Sequence, residues 1–122
     1  MTIEYTGAIV LSVDGKDFDV ESCDVTRKTG RKAVKTMNRT GKPKGFAKGV
    51  AEFSLKITLP VTPGDPEWAD VENAKITLEP LNTGDKRVSY TGCFTTDVGE
   101  KYQVDGEAKR DITVEALDRK VE

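Results

Sequence analysis

Residues 50–59 read Val-Ala-Glu-Phe-Ser-Leu-Lys-Ile-Thr-Leu, and Phe53, Leu55, Ile57 and Leu59 alternate with Glu52, Ser54, Lys56 and Thr58. A period of two over this length puts one set of side chains on a buried face and the other in solvent, which is the pattern of an antiparallel strand. This strand is expected at the centre of a sheet. Pro60 and Pro63 end it, because proline donates no ladder hydrogen bond. Beyond them Gly64-Asp65-Pro66-Glu67 reads as a helix start, with Asp65 as cap and Pro66 in the first turn. A short α-helix is predicted over about residues 65–73, with Trp68 and Val71 on one face and Trp68 plugging the core.

The flanking segments repeat the strand pattern. Residues 75–81 and 86–95 are predicted to pair across a turn at Asn82-Thr83-Gly84-Asp85, with Val88, Tyr90 and Phe94 alternating along the second strand. Gly92 inside it marks a bulge or a close backbone approach. A short strand near 101–104, a turn at Asp105-Gly106 and a strand over 108–117 with Ile112, Val114 and Ala116 on one face complete the C-terminal half. On the N-terminal side, strands over 5–13 and 16–23 flank Asp14-Gly15, a pair that tolerates the positive φ of a tight hairpin. The fold class is mainly β: a small antiparallel β-sandwich or barrel of about seven strands, one short α-helix and one long loop. The 122 residues fit a single domain, undivided by any repeat or linker.

The long loop, about residues 26–49, is where the charge lies. Between Val25 and Ala51 there are nine basic residues and no acid: Arg27, Lys28, Arg31, Lys32, Lys35, Arg39, Lys42, Lys44 and Lys48. The rest of the chain carries 10 basic and 21 acidic side chains, so a net charge of −2 conceals a strongly dipolar molecule. Charge asymmetry bears on partners and not on fold. Three readings stay open: a solvated loop, a nucleic-acid arm for which Phe46 is the only aromatic in the segment, and an arm that docks on the acidic body of another copy. The third contact is heterologous, so it propagates into rings or filaments.

Composition excludes much chemistry. There is no His, which removes Ser-His-Asp and Cys-His mechanisms and most zinc or iron sites. Cys23 and Cys93 lie far apart and outside any CxxC spacing; both are expected as reduced apolar fillers in strands. Gly41-Lys42-Pro43-Lys44-Gly45 lacks the phosphate-loop spacing. Asp17, Asp19 and Glu21 lie in a row along a strand face, where a solvated acidic face is expected in place of a calcium site. No cofactor, no metal and no enzyme activity are expected. The N-terminus lacks the basic flank and apolar run of a signal peptide, and no membrane partner is expected.

Asn38-Arg39-Thr40-Gly41, Gly45-Phe46-Ala47-Lys48-Gly49, Glu52-Phe53-Ser54-Leu55, Trp68, Ile76-Thr77-Leu78-Glu79, Lys86-Arg87-Val88-Ser89-Tyr90 and Asp97-Val98-Gly99-Glu100, in this order and spacing, resemble the tail tube proteins of long-tailed bacteriophages. The likeness is to the contractile-tailed type, which is related to the tube proteins of type VI secretion. It implies a structural subunit of the virion tail, made in the host cytoplasm, that forms hexameric rings. These stack into a hollow conduit through which phage DNA passes without specific binding. Sheath, baseplate and tape-measure proteins are the implied further partners. The basic loop is expected at contacts between subunits, and Glu52, Glu79 and Glu115 are the candidate acids of the lumen wall, which must repel phosphate. A tube initiator or baseplate ring protein of the same fold, or a DNA-binding architectural module using residues 27–48, are the alternatives.

Overall fold

The computed structural model describes residues 2–81 and 86–122. Its strands are β1 (Ile9–Val13), β2 (Lys16–Phe18), β3 (Ser22–Lys28), β4 (Lys32–Val34), β5 (Gly45–Ala47), β6 (Glu52–Pro60), β7 (Ala74–Pro80), β8 (Val88–Lys101), β9 (Lys109–Ala116) and β10 (Asp118–Val121). Every pairing is antiparallel. The main path runs β2-β1-β7-β8-β9-β6-β3, and its ends do not meet, so the arrangement is a sandwich and not a closed barrel.

The long strand β8 belongs to both layers. Its first half pairs with β7 on one side and β10 on the other; its second half, from Phe94, pairs with β9. The change-over is made by two irregularities. Gly92, at φ +65°, forms the bulge expected from the sequence between the Ile76–Tyr90 and Ala74–Cys93 pairs, and a second register shift falls between Thr95 and Asp97. Bulges bend a strand and raise its twist, which lets one strand fold a sheet over itself. The first sheet is thus β2-β1-β7 with the start of β8 and β10; the second is the end of β8 with β9, β6 and β3.

β6 sits inside the second sheet, between β9 and β3, as its alternation predicts. Leu55, Ile57 and Leu59 are buried; with Ile112 and Val114 of the adjacent β9 they meet Leu11, Ile76 and Tyr90 of the facing layer in one core. At one end of β6 the Phe53 ring lies 6.4 Å from Tyr90. At the other end Leu59 and Pro60 lie beside Lys16 and Phe18 of β2. Going across the strands of the first sheet, from β8 to β2, therefore means travelling along the strands of the second, so the layers cross steeply.

The structure departs from the expectations at several points. The helix over about 65–73 is only a single 3-10 turn, Trp68–Asp70, closed on either side by extended residues Glu67 and Val71. Trp68 explains this: it is buried at 2% exposure with its ring 5.1 Å from Phe18, and with β7 starting at Ala74 too few residues remain to complete a second turn. Asp65 does not cap that turn; its carboxylate accepts from the Thr62 backbone N–H and hydroxyl. The strand over 16–23 breaks after Phe18, and Ser22 onward crosses to the second sheet. Within the loop over 26–49, β3 extends to Lys28, and β4 and β5 pair as a separate hairpin. The expected short strand near 101–104 is only the tail of β8, and β10 was not anticipated. Asp14-Gly15 does turn with positive φ at both residues. The turn at Asn82-Thr83-Gly84-Asp85 lies outside the described residues.

Candidate assembly surfaces

The hairpin of β4 and β5 projects as an arm from one end of the second sheet, where β3 ends at Lys28 and β6 begins opposite it at Glu52. Its tip is built by Asn38. The Asn38 amide donates to the carbonyls of Thr36 (3.1 Å) and Lys42 (2.9 Å), and its oxygen accepts from the Thr40 N–H (3.0 Å). Gly41 closes the turn at φ +67°. The root is built by glycine: a Cβ on Gly49 would lie 2.7 Å from the Gly30 carbonyl oxygen, and one on Gly30 would lie 2.5 Å from that of Val50. Two backbones pass there closer than any side chain permits.

Arg27, Lys28, Arg31, Lys32, Lys35, Arg39, Lys42, Lys44 and Lys48 are all exposed, and none of them forms an ion pair among the described residues. The arm also leaves Val34, Met37 and Phe46 in solvent, Met37 completely. Cations and apolar side chains held out together on an ordered hairpin form a surface without an intramolecular partner. The sequence discloses the charge and, in Phe46, the one aromatic of the segment.

The outer face of the second sheet is polar. The register places Thr26, Ser54, Glu115 and the half-buried Phe94 side by side, then Asp24, Lys56, Thr113 and Asp97, then Ser22, Thr58 and Asp111. The Thr58 hydroxyl donates to Asp111 at 2.7 Å. Glu52 and Glu115 are both exposed on this face. Glu79 is not with them: it lies beside Val10 on the outer face of the first sheet, across the core. One wall cannot present all three. On that first face Ser89 is buried beneath Glu122, to which it donates at 3.0 Å; this bond, with Lys75 at 3.3 Å and Arg87, holds the Glu122 carboxyl below its usual range.

The second sheet has unpaired sides at both flanks. β3 pairs only with β6, and β8 beyond Thr95 pairs only with β9, so among the described residues the outer backbone edges of both strands lack a strand partner. Unpaired edges are templates for another strand. At the end away from the arm, Arg110 spans Asp65 (3.4 Å) and Glu100 (3.4 Å) and is itself only 14% exposed. Burial raises the Asp65 pKa, but the Thr62 hydrogen bonds and the Arg110 charge outweigh it, and the net shift is downward. Among the described residues no group of three or more His, Cys, Asp or Glu is placed to hold a metal ion. No described helix is long and apolar enough to cross a membrane.

No protein-family model matches the chain, and no curated protein matches it in sequence. Solved structures match along its length. A chain of the sheath/tube terminator of an extracellular contractile injection system is 17% identical, with a TM-score of 0.69 over 99% of each chain. One from the baseplate of the anti-feeding prophage is 8% identical, with a TM-score of 0.75 over 100% of this chain and 97% of that one. The SPP1 tail tube protein is 13% identical, with a TM-score of 0.67 over 93% of this chain and 74% of that one. At such identities the shared property is the fold: the chain has the architecture seen in these tail tube, tube-terminator and baseplate components.

Proposed function

We propose that this protein is a structural subunit of a phage-type tail tube. Copies join edge to edge into hexameric rings, and the rings stack into a hollow conduit for DNA in the virion tail. The observation that carries the reading is the fold likeness, which spans 93% or more of this chain for tube, terminator and baseplate components alike. The free edges support it. Going across the second sheet, β8, β9, β6 and β3 alternate in direction, so β3 of one copy meets β8 of the next in antiparallel sense under a rotation about the strand direction. Every ring closed this way removes two edges per copy and continues one wall.

The polar outer face of the second sheet then lines the channel. Glu52 and Glu115, with Asp24, Asp97 and Asp111, interrupt the lysines Lys28, Lys56, Lys101 and Lys109. Mixed charge among Ser and Thr offers no continuous basic track on which phosphates would release counterions and stick. Glu79 takes no part in this lumen. The basic arm contacts the neighbouring ring, and sheath, baseplate and tape-measure proteins are the further partners.

Replacing Arg31, Lys32, Lys42 and Lys44, which lie on the hairpin and not on β3, with Glu tests the arm. Light scattering should show stacking lost while circular dichroism shows the monomer folded; filaments of normal length from that variant would sink electrostatic stacking. A second reading, a tube-initiating, terminating or baseplate ring of the same fold, is favoured by the likeness to a terminator and a baseplate component. It predicts single rings that do not lengthen with concentration. A DNA-binding module using the exposed arm instead predicts a monomer that retards DNA in a salt-sensitive way.

A further inference from the structure

A groove of about 420 Å³ lies between the β1–β2 hairpin and the 3-10 turn, with Phe18, Trp68 and Val71 in its floor and Asp14, Asp70 and Glu72 on its rim. Its lining cation, Lys16, is drawn over the Phe18 ring at 5.3 Å from the centroid. An apolar floor and an acidic rim describe a seat for a chain that brings apolar and cationic side chains together.

The arm has that composition. Residues 34–39, Val-Lys-Thr-Met-Asn-Arg, hold Val34 and Met37 in solvent, with Lys35 and Arg39 flanking Met37. It also has the right position. It leaves the body where β6 begins, whereas the groove adjoins β2, which packs where β6 ends. The nine residues of β6 separate the two by roughly 26 Å at about 3.3 Å per residue. A projection on one end and a complementary recess on the other make a head-to-tail contact that repeats along an axis.

We infer that the groove over Trp68 is the socket for the arm of a second copy of this chain: Met37 enters beside Trp68, while Lys35 and Arg39 meet Asp70, Glu72 and Asp14. The direction of stacking rests on the tube reading above; the contact itself does not. The socket uses the acidic charge near the 3-10 turn and the apolar residues of the arm, neither of which the lumen or the ring edges employ.

Two experiments test it. In the first, Met37→Cys and Glu72→Cys are made in separate copies, both carrying Cys23→Ser, and mixed under mild oxidation. Cross-linked heterodimers should dominate over either homodimer by at least tenfold, and equal yields would overturn the docking. In the second, Asp70→Lys with Glu72→Lys should reduce sedimentable assemblies at least tenfold at low salt, and Lys35→Glu with Arg39→Glu should do the same. Mixing within one chain should restore assembly. Assemblies indifferent to the rim charges would overturn the socket while leaving the tube intact. Heterodimer cross-links without rings or filaments would uphold the socket and count against the tube.

Discussion

Gly49→Ala strikes the root of the arm without touching the core. The added Cβ would stand 2.7 Å from the Gly30 carbonyl oxygen, against 3.4 Å for an ordinary contact, so the two backbones must part by about 0.7 Å. Both atoms involved belong to backbone or are fixed to it, and no flexible side chain can yield. Across a strand spacing of about 4.8 Å, that opening turns the hairpin by roughly 8°, and over some 20 Å of extended arm it carries the tip about 3 Å sideways. The arm contributes no buried side chain. Stability should therefore fall by about 1 kcal/mol or less, a shift of roughly 3–6 °C in Tm for a domain of this size. Spin labels at Met37 and Glu72 read the displacement by pulsed electron resonance, and scattering reads assembly, which should drop steeply. A variant that assembles like the parent with an unmoved tip refutes the root geometry. One that melts like a core mutant refutes the independence of the arm.

Leu55→Ala removes a fully buried side chain at the middle of β6, between Val114 and Val25, and should cost about 2–5 kcal/mol in urea denaturation. Asp65 titrates lower in the fold than its ordinary 3.8. Its contribution is complete above that value and disappears as pH falls through the folded pKa, so Asp65→Asn should flatten the acid limb of a stability-against-pH profile below about pH 4. An unchanged limb contradicts the Arg110 pairing. Burial pushes the Cys23 and Cys93 thiols up to about 11, in each case aided by a neighbouring aspartate. Native protein at pH 8 should react slowly with a thiol reagent and release both groups only on unfolding; rapid native labelling of Cys93 would contradict its burial.

The parts of this fold that the sequence discloses are those where one residue pattern admits one structure. The alternation at 52–59 leaves no face but one to bury, Asp14-Gly15 has a conformational reason to turn, and Gly92 has one to bulge. What stays hidden depends on partners remote in the chain. Asp65 reads as a cap until Thr62 and Arg110 are seen to claim its carboxylate. The 3-10 turn reads as a helix until Trp68 is anchored against Phe18. Glu79 resembles Glu52 and Glu115 in local pattern, and only the assignment of β7 to the other sheet separates them. The arm shows its charge in composition, but its order comes from backbone-level features: the Asn38 turn and the Gly30–Gly49 crossing. The groove over Trp68 has no signature in the sequence, because its rim is gathered from the β1–β2 turn and the segment after Pro66.

End-on electron microscopy of the purified, concentrated chain tests the central claim most directly. Hollow rings with an open centre, seen in side view as stacked filaments, are what the tube account predicts. A protein that stays monomeric at every concentration and retards DNA in low salt would contradict it, and would give the basic arm to nucleic acid instead.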